Sequence, residues 1–256
     1  MKGDFEKKYH SVEENHWWFI GRREIILALA GKYFPDRKQI KILEIGCSGG
    51  PLLKLLVSQG YPQVFGIDIS ENAIQLCKER GFKDVFLMDG VTPHFNSEEF
   101  DLIIASDVLE HIQDDEKAIK EWKRVLKKEG IIICFVPALK VLWSKHDEDN
   151  EHRRRYTKKD LEAIFLKNDF KIIRFSYWNI ALFLPTLFYR FLTRTFFKES
   201  LTTQLKESNY VFNFFLSKLL TIENFFLGMG INYPIGISLF VVAKKSGLLK
   251  NYRSNF

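Results

Sequence analysis

The chain has 256 residues, 46% of them hydrophobic and 27% charged, with a formal net charge of +6. These values exclude a disordered, fibrous or disulfide-framed protein and allow one substantial core. Cys47, Cys77 and Cys134 stand far apart with no C-x-x-C pair or histidine cluster beside them, so no metal site is expected.

The opening stretch MKGDFEKKYHSVEEN lacks the apolar run and small-residue cleavage site of a secretory signal. A cytoplasmic protein, at most peripheral to a membrane, is therefore expected, and residues 1–37 read as a helical cap. Short apolar runs then recur: KILEIG at 41, VFGIDI at 64, VFLMD at 85, FDLIIASDV at 100 and GIIICFVP at 130. They are continuous rather than alternating, as strands buried on both faces require. Helical patterns fall between them: GPLLKLLVSQG with one leucine face, SENAIQLCKERG with a serine cap, and DDEKAIKEWKRVLKKEG with acids first and lysines in its last turn.

This β-α alternation predicts an α/β fold with a doubly wound, mostly parallel sheet. Two more apolar runs, FKIIRFSYW at 170 and ISLFVVAKK at 237, bring it to seven strands. The chain thus divides into a cap (1–37), a core (38–178), a helical insertion before the last strand (179–236), and that strand with its tail (237–256), all one domain. The insertion is longer than a compact domain needs for a connection, so it has a purpose of its own.

Within it, Arg190, Arg194 and Lys198 form an i, i+4, i+8 basic stripe among Leu187, Phe188, Phe191 and Phe197. The following VFNFFLSKLLTIENFFLG carries a thin polar line of Asn213, Ser217, Thr221 and Asn224. The uncharged run 224–243 is broken by glycines and a proline, so no membrane span is expected. From Lys171 onward eleven Lys and Arg face three acids, with thirteen of the 24 phenylalanines, whereas the first 170 residues hold 27 basic and 29 acidic residues. That pairing of cations with aromatics suits an anionic membrane surface or substrate, and peripheral membrane contact is one expectation; a bulky core under a solvated basic rim fits the same pattern.

The first strand ends in Glu44-Ile-Gly46-Cys-Ser48-Gly49-Gly50, and Pro51 opens the next helix, where its missing N–H costs nothing. Such a turn is where α/β sheets bind nucleotides. The glycines do not follow G-x-G-x-x-G, and Glu44 would repel a pyrophosphate but attract an amino group. In these residues the chain resembles the class I S-adenosylmethionine-dependent methyltransferases, whose first motif is an acid, one residue, then Gly-x-Gly-x-Gly. Glu44, Gly46 and Gly50 match it; Ser48 replaces the middle glycine, at a cost of order 1 kcal/mol if its φ must be positive.

The resemblance covers residues 38–138 and implies S-adenosylmethionine as cofactor. It implies that Asp68, in GIDIS beside Ile69, accepts from the ribose hydroxyls, and that Asp89 and Gly90 meet the adenine. FDLIIASDVLEHI resembles the fourth-strand motif, with Ser106 at the cofactor and His111 near the methyl. The N-terminal ENHWWFIGRREII resembles a segment of bacterial methyltransferases associated with glycan and lipid pathways. There Trp17 would face the acceptor and Arg22 would hold the cofactor carboxylate; tryptophans that pack a helix onto the sheet meet the same pattern.

Methyl transfer draws about 7–11 kcal/mol from positioning an attacking atom in line. A hydroxyl acceptor also profits from a base, for which His111 and then His146 are the candidates. Residues 143–161, WSKHDEDNEHRRRYTKKDL, add His152, Arg153, Arg155 and Tyr156 as acceptor-binding candidates, since arginine forks suit phosphate or carboxylate. Thr157 and Asp160 form a capping box.

The expected function is methyl transfer to oxygen on a small-molecule, lipid-like or glycan-related acceptor. Nucleic acid is not expected, because SDVLEH replaces the turn that would hold a flipped base amine. A non-catalytic membrane-peripheral scaffold and a nicotinamide-dependent oxidoreductase are the alternatives.

Overall fold

The computed structural model describes residues 10, 12–196 and 209–246, with the side chains of 193–196 excepted. Its elements run α1 (Trp17–Tyr33), β1 (Lys41–Ile45), α2 (Pro51–Ser58), β2 (Gln63–Asp68), α3 (Glu71–Glu79), β3 (Val85–Leu87), β4 (Phe100–Ser106), α4 (Asp115–Val125) and β5 (Leu126–Pro137). There follow α5 (Lys145–Asp149), α6 (Lys158–Lys167), β6 (Phe170–Trp178), α7 (Phe183–Phe196), α8 (Tyr210–Met229) and β7 (Ser238–Lys245). The sheet order is β3-β2-β1-β4-β5-β7-β6. Its pairs are parallel except those of β7, which inserts antiparallel between β5 and β6. The strand order reverses between β1 and β4, and the carboxyl ends of these strands therefore leave a crevice at the switch point.

Each face of the sheet carries its own apolar layer. On one, Ile25, Ile26 and Leu29 of α1 pack with Ile42, Leu102 and Ile104. On the other, Leu43, Ile103, Trp122 and Phe165 pack together. Residues buried this fully contribute about 1.5–3 kcal/mol each.

Two expectations are corrected. Lys127 and Lys128 do not end a helix: α4 stops at Val125, and β5 begins at once. The helix closes on Lys123 and Arg124 instead. Lys127 reaches Asp101 across 2.7 Å, and Glu129 takes φ +63°, so the Lys-Lys-Glu-Gly stretch is an irregular strand entry. No membrane span is expected from the sequence, yet α8 is a single helix of 20 residues, long and apolar enough to cross a bilayer by length and composition alone. Of the basic stripe, Arg190 is described, while the Arg194 side chain and Lys198 lie outside the described residues.

Candidate active site

The turn after β1 is built by three left-handed residues in five. Gly46 (φ +75°) and Gly50 (φ +84°) adopt this conformation without a Cβ penalty, and Gly50 caps α2 with Pro51 in its first turn. Ser48 also takes positive φ, +49°. Its side chain offsets the strain: Oγ donates to Glu13 Oε2 at 2.7 Å and lies 3.0 Å from His10 Nδ1. Its backbone N–H donates to Asp68 Oδ2 at 2.9 Å, and Asp68 Oδ1 accepts from Ser70 N–H at the same distance. The end of β2 thereby fixes the turn after β1.

A cavity of about 770 Å³ lies over this turn, large enough for a small ligand with room beside it. Glu44, Gly46, Ser48, Asp68, Ile69, Asp89, Gly90, Ser106 and Arg22 all line it. Gly50 sits behind, where an added Cβ would meet Cys77 Sγ at 3.0 Å. Asp89 is exposed at the rim and caps Val91 N–H at 2.8 Å.

Glu44 is buried, and among the described residues its Oε2 has no hydrogen-bond partner. Burial, then the nearby Glu13, pushes its carboxyl well above the usual range. A buried acid of this kind, facing a cavity, is complementary to a cationic amino group, and the residues present fit the aminoacyl end of S-adenosylmethionine.

Arg22 is the keystone of the cap. Its guanidinium lies 4.4 Å from the ring centres of both Phe135 and Trp178. It donates to Asp107 Oδ2 at 2.7 Å, to Ser106 Oγ at 3.1 Å and to Ser238 Oγ at 2.9 Å. Asp107 itself holds φ +56° just after β4. Trp18 packs edge-on to Trp178 at 4.8 Å, and both Trp17 and Trp18 line the cavity.

The acceptor side of the cavity carries His111, His146, His152, Arg155 and Glu110. His152 Nδ1 is 2.9 Å from Asp147 Oδ1. Asp147 is fully buried, and Arg155 grips it through Nε at 2.7 Å and a terminal nitrogen at 3.1 Å. Burial alone would raise the Asp147 carboxyl, but the His152 hydrogen bond and the Arg155 charge outweigh it and hold it well below the usual range. An ionised Asp147 only accepts, so Nδ1 of His152 carries a proton and Nε2 keeps its lone pair when the ring is neutral. That Nε2 lies 4.0 Å from Glu110 Oε1. His146 is different: burial lowers it to about 4, and both its ring nitrogens lie 3.2 Å from Asn150 Nδ2.

Arg153 and Tyr156 do not line the cavity. Arg153 donates to His111 O at 3.0 Å, and the Tyr156 hydroxyl donates to Asp115 Oδ2 at 2.8 Å. Both hold the loop after β4 against the loop after β5, which is how His111 and His152 meet edge-on with ring centres 4.8 Å apart.

Three further groups enter the site: Glu110 and Asp147, which the sequence placed in the stretches after β4 and β5 without a role of their own, and Ser238, which it left aside. Glu110, fully buried with both carboxylate oxygens unpartnered among the described residues, is pushed well above its usual range by burial and by Asp107. Asp147 stood in the acidic run HDEDNEH without a mark to distinguish it from its neighbours. Ser238 comes from the far end of the chain. Glu110, His111 and His152 each bring one ligand atom within 4.8 Å of the others, a donor set that could hold a cation where none was expected.

The model of the family described as "Methyltransferase domain" matches residues 43–134. A ubiquinone biosynthesis O-methyltransferase of Pelagibacter ubique is 35% identical over 99 residues, 37% of this chain and 41% of that protein. An uncharacterized protein of Methanocaldococcus jannaschii is 30% identical over 159 residues, 61% of this chain and 69% of that one. The chain spans 41% and 60% of the length of two ubiquinone biosynthesis O-methyltransferases it matches. Among solved structures, a SAM dependent methyltransferase from Archaeoglobus fulgidus aligns with TM-score 0.55 at 20% identity, over 87% of this chain and 94% of that one. Phosphoethanolamine N-methyltransferase 2 of Haemonchus contortus aligns with TM-score 0.56 at 21% identity, over 86% of this chain and 52% of that one. These structural likenesses speak to the fold. The chain belongs to the class I S-adenosylmethionine-dependent methyltransferases. S-adenosylmethionine is the cofactor that goes with this family.

Proposed function

We propose that this protein transfers a methyl group from S-adenosylmethionine to a hydroxyl oxygen of a small, lipid-like acceptor, with His152 as the base. The observation that carries the reading is the His152–Asp147 pair, at 2.9 Å, in the same cavity as the Glu44-to-Gly50 turn. The cofactor supplies an activated methyl on a sulfonium. Glu44 would hold its amino group, Asp68 the ribose, and Asp89 with Gly90 the adenine. Asp68 already accepts two backbone N–H groups, yet each oxygen retains a further lone pair for a hydroxyl.

His152 Nε2 is then the atom that takes the acceptor proton, and Asp147 stabilises the imidazolium that forms. The Arg155 fork fixes Asp147, and the edge-on His111 ring limits how His152 can turn. Burial favours the protonated form of Glu110 and so works against a second negative charge beside the base. Aromatic walls from Trp17, Trp18 and Phe19 of α1 suit an acceptor with a hydrocarbon portion, and the name of the ubiquinone relatives supports oxygen as the target.

The test is transfer of radiolabelled methyl to hydroxylated lipids and glycan precursors, compared with His152→Gln. Label transfer that the variant loses while S-adenosylhomocysteine still binds supports the reading. A second reading, favoured by the 4.8 Å cluster of Glu110, His111 and His152, places a divalent cation there to acidify the acceptor hydroxyl. Calorimetric titration with Mg²⁺ and Zn²⁺, and activity after chelation, separate the two.

A further inference from the structure

Helix α8 is built inside out. Its polar residues point toward the domain: Asn213 Oδ1 accepts from Trp17 N–H at 2.7 Å, Thr221 Oγ1 donates to Glu24 at 3.2 Å, and Asn224 donates to Gly21 O at 2.8 Å. Asn224 also accepts from Trp178 Nε1 at 2.8 Å. Close approach of α1 is permitted by Gly21, whose added Cβ would meet Leu220 Cδ1 at 2.6 Å. The outward side is apolar. Phe212, Phe215, Leu219, Ile222, Phe226 and Met229 recur every three or four residues, which sets them along one helix face, and every one is exposed, Phe215 and Met229 at 65%.

A helix whose surroundings were water would show the reverse. The stripe runs the length of a 20-residue helix, about 30 Å, well beyond the isolated apolar contacts normal for a surface. Helix α7 carries exposed apolar residues of its own, Leu184 and Phe188, while its Thr186 and Arg190 line the cavity.

Charge selects the occupant. Among the described residues of α7 and α8 the one carboxylate is Glu223, and it is buried, accepting from the backbone of Ile180 and Ala181. The charge on the outer side is positive: among the described side chains of α8 the one cation is Lys218, exposed, 5.6 Å from the Phe214 ring centre. A two-fold contact between copies would set this positive face against itself. An anionic lipid surface complements it.

We propose that the outer faces of α7 and α8 form a docking surface for an anionic bilayer, which they enter side-on, with the cavity adjoining it. Crossing the bilayer would strip Leu220, Asn224 and Leu227 from α1, whereas lying in the interface leaves those contacts intact. That the cavity then draws its acceptor from the membrane rests on the methyltransferase reading; the docking itself does not.

The experiment is sedimentation with phosphatidylcholine vesicles, with and without phosphatidylglycerol, for the native chain and for Phe215→Ser with Phe226→Ser. Light scattering and S-adenosylhomocysteine titration accompany it. Expected are binding that requires phosphatidylglycerol and weakens with salt, a loss of at least about tenfold in the variant, and unchanged cofactor affinity. Failure of both vesicle types to bind, equal binding by the variant, or self-association that the variant abolishes would each overturn the proposal. Loss of cofactor affinity in the native chain would strike the methyltransferase reading alone.

Discussion

Asp147 Oδ1 and His152 Nδ1 lie 2.9 Å apart at the wall of the cavity, and the Arg155 fork spans both oxygens of the same carboxylate. This relationship distinguishes His152 from the chain's other histidines, because it fixes both the tautomer and the direction of Nε2. His152→Gln should lower methyl transfer by about 10²–10⁴-fold and leave S-adenosylhomocysteine affinity intact. Initial rates against a calorimetric titration check it. Asp147→Asn should also destabilise the fold, by about 3–5 kcal/mol, since it leaves Arg155 buried and unpaired.

Asp68 is expected to hold the ribose. Asp68→Ala should weaken S-adenosylhomocysteine by about tenfold or more, the loss of two charge-assisted hydrogen bonds, and circular dichroism should show the fold retained. Unchanged affinity would remove Asp68 from the cofactor site.

Glu44 and Glu110 give the apo protein a definite pH dependence. Both carboxyls are held well above their ordinary 4.5 by burial, so each favours the protonated folded state. The stability they contribute is fully present below about 4.5 and is lost as pH rises toward their folded values. Glu44→Gln should therefore raise the apo melting temperature at pH 7 and flatten the fall above pH 4.5, while weakening the cofactor. Thermal melts across pH with and without S-adenosylhomocysteine measure both effects, and a variant that melts lower at pH 7 would contradict the first.

Arg22 joins α1 to β4 and β7. Arg22→Lys should cost about 2–4 kcal/mol in urea unfolding, because an ammonium neither stacks between Phe135 and Trp178 nor reaches Asp107 and Ser238 together. A loss under about 1 kcal/mol would show that the stacked pair is dispensable.

The fold was legible in the spacing of apolar runs, and the cofactor side of the site in the order of acids and glycines after them. Both are local: a strand end, a turn and a helix cap lie within a few residues of each other. The acceptor side was not. Nothing in HDEDNEHRRRY separates Asp147 from Glu148 or Asp149, or Arg155, which grips it, from Arg154, which pairs with Asp115 at 2.7 Å. Helix α8 shows the same limit, since its thin polar line was visible in the sequence but not that this line is the face that binds α1.

By itself, then, the sequence determined the α/β alternation, the left-handed turn and the acids that end β1 and β2, because each follows from the conformational limits of neighbouring residues. The tertiary structure alone decided which histidine faces an aspartate, how deeply Glu110 is buried, and which side of α8 meets the outside. Those depend on residues up to 203 positions apart being brought into contact, as Gly21 and Asn224 are, and burial and polarity are properties of that contact rather than of either residue.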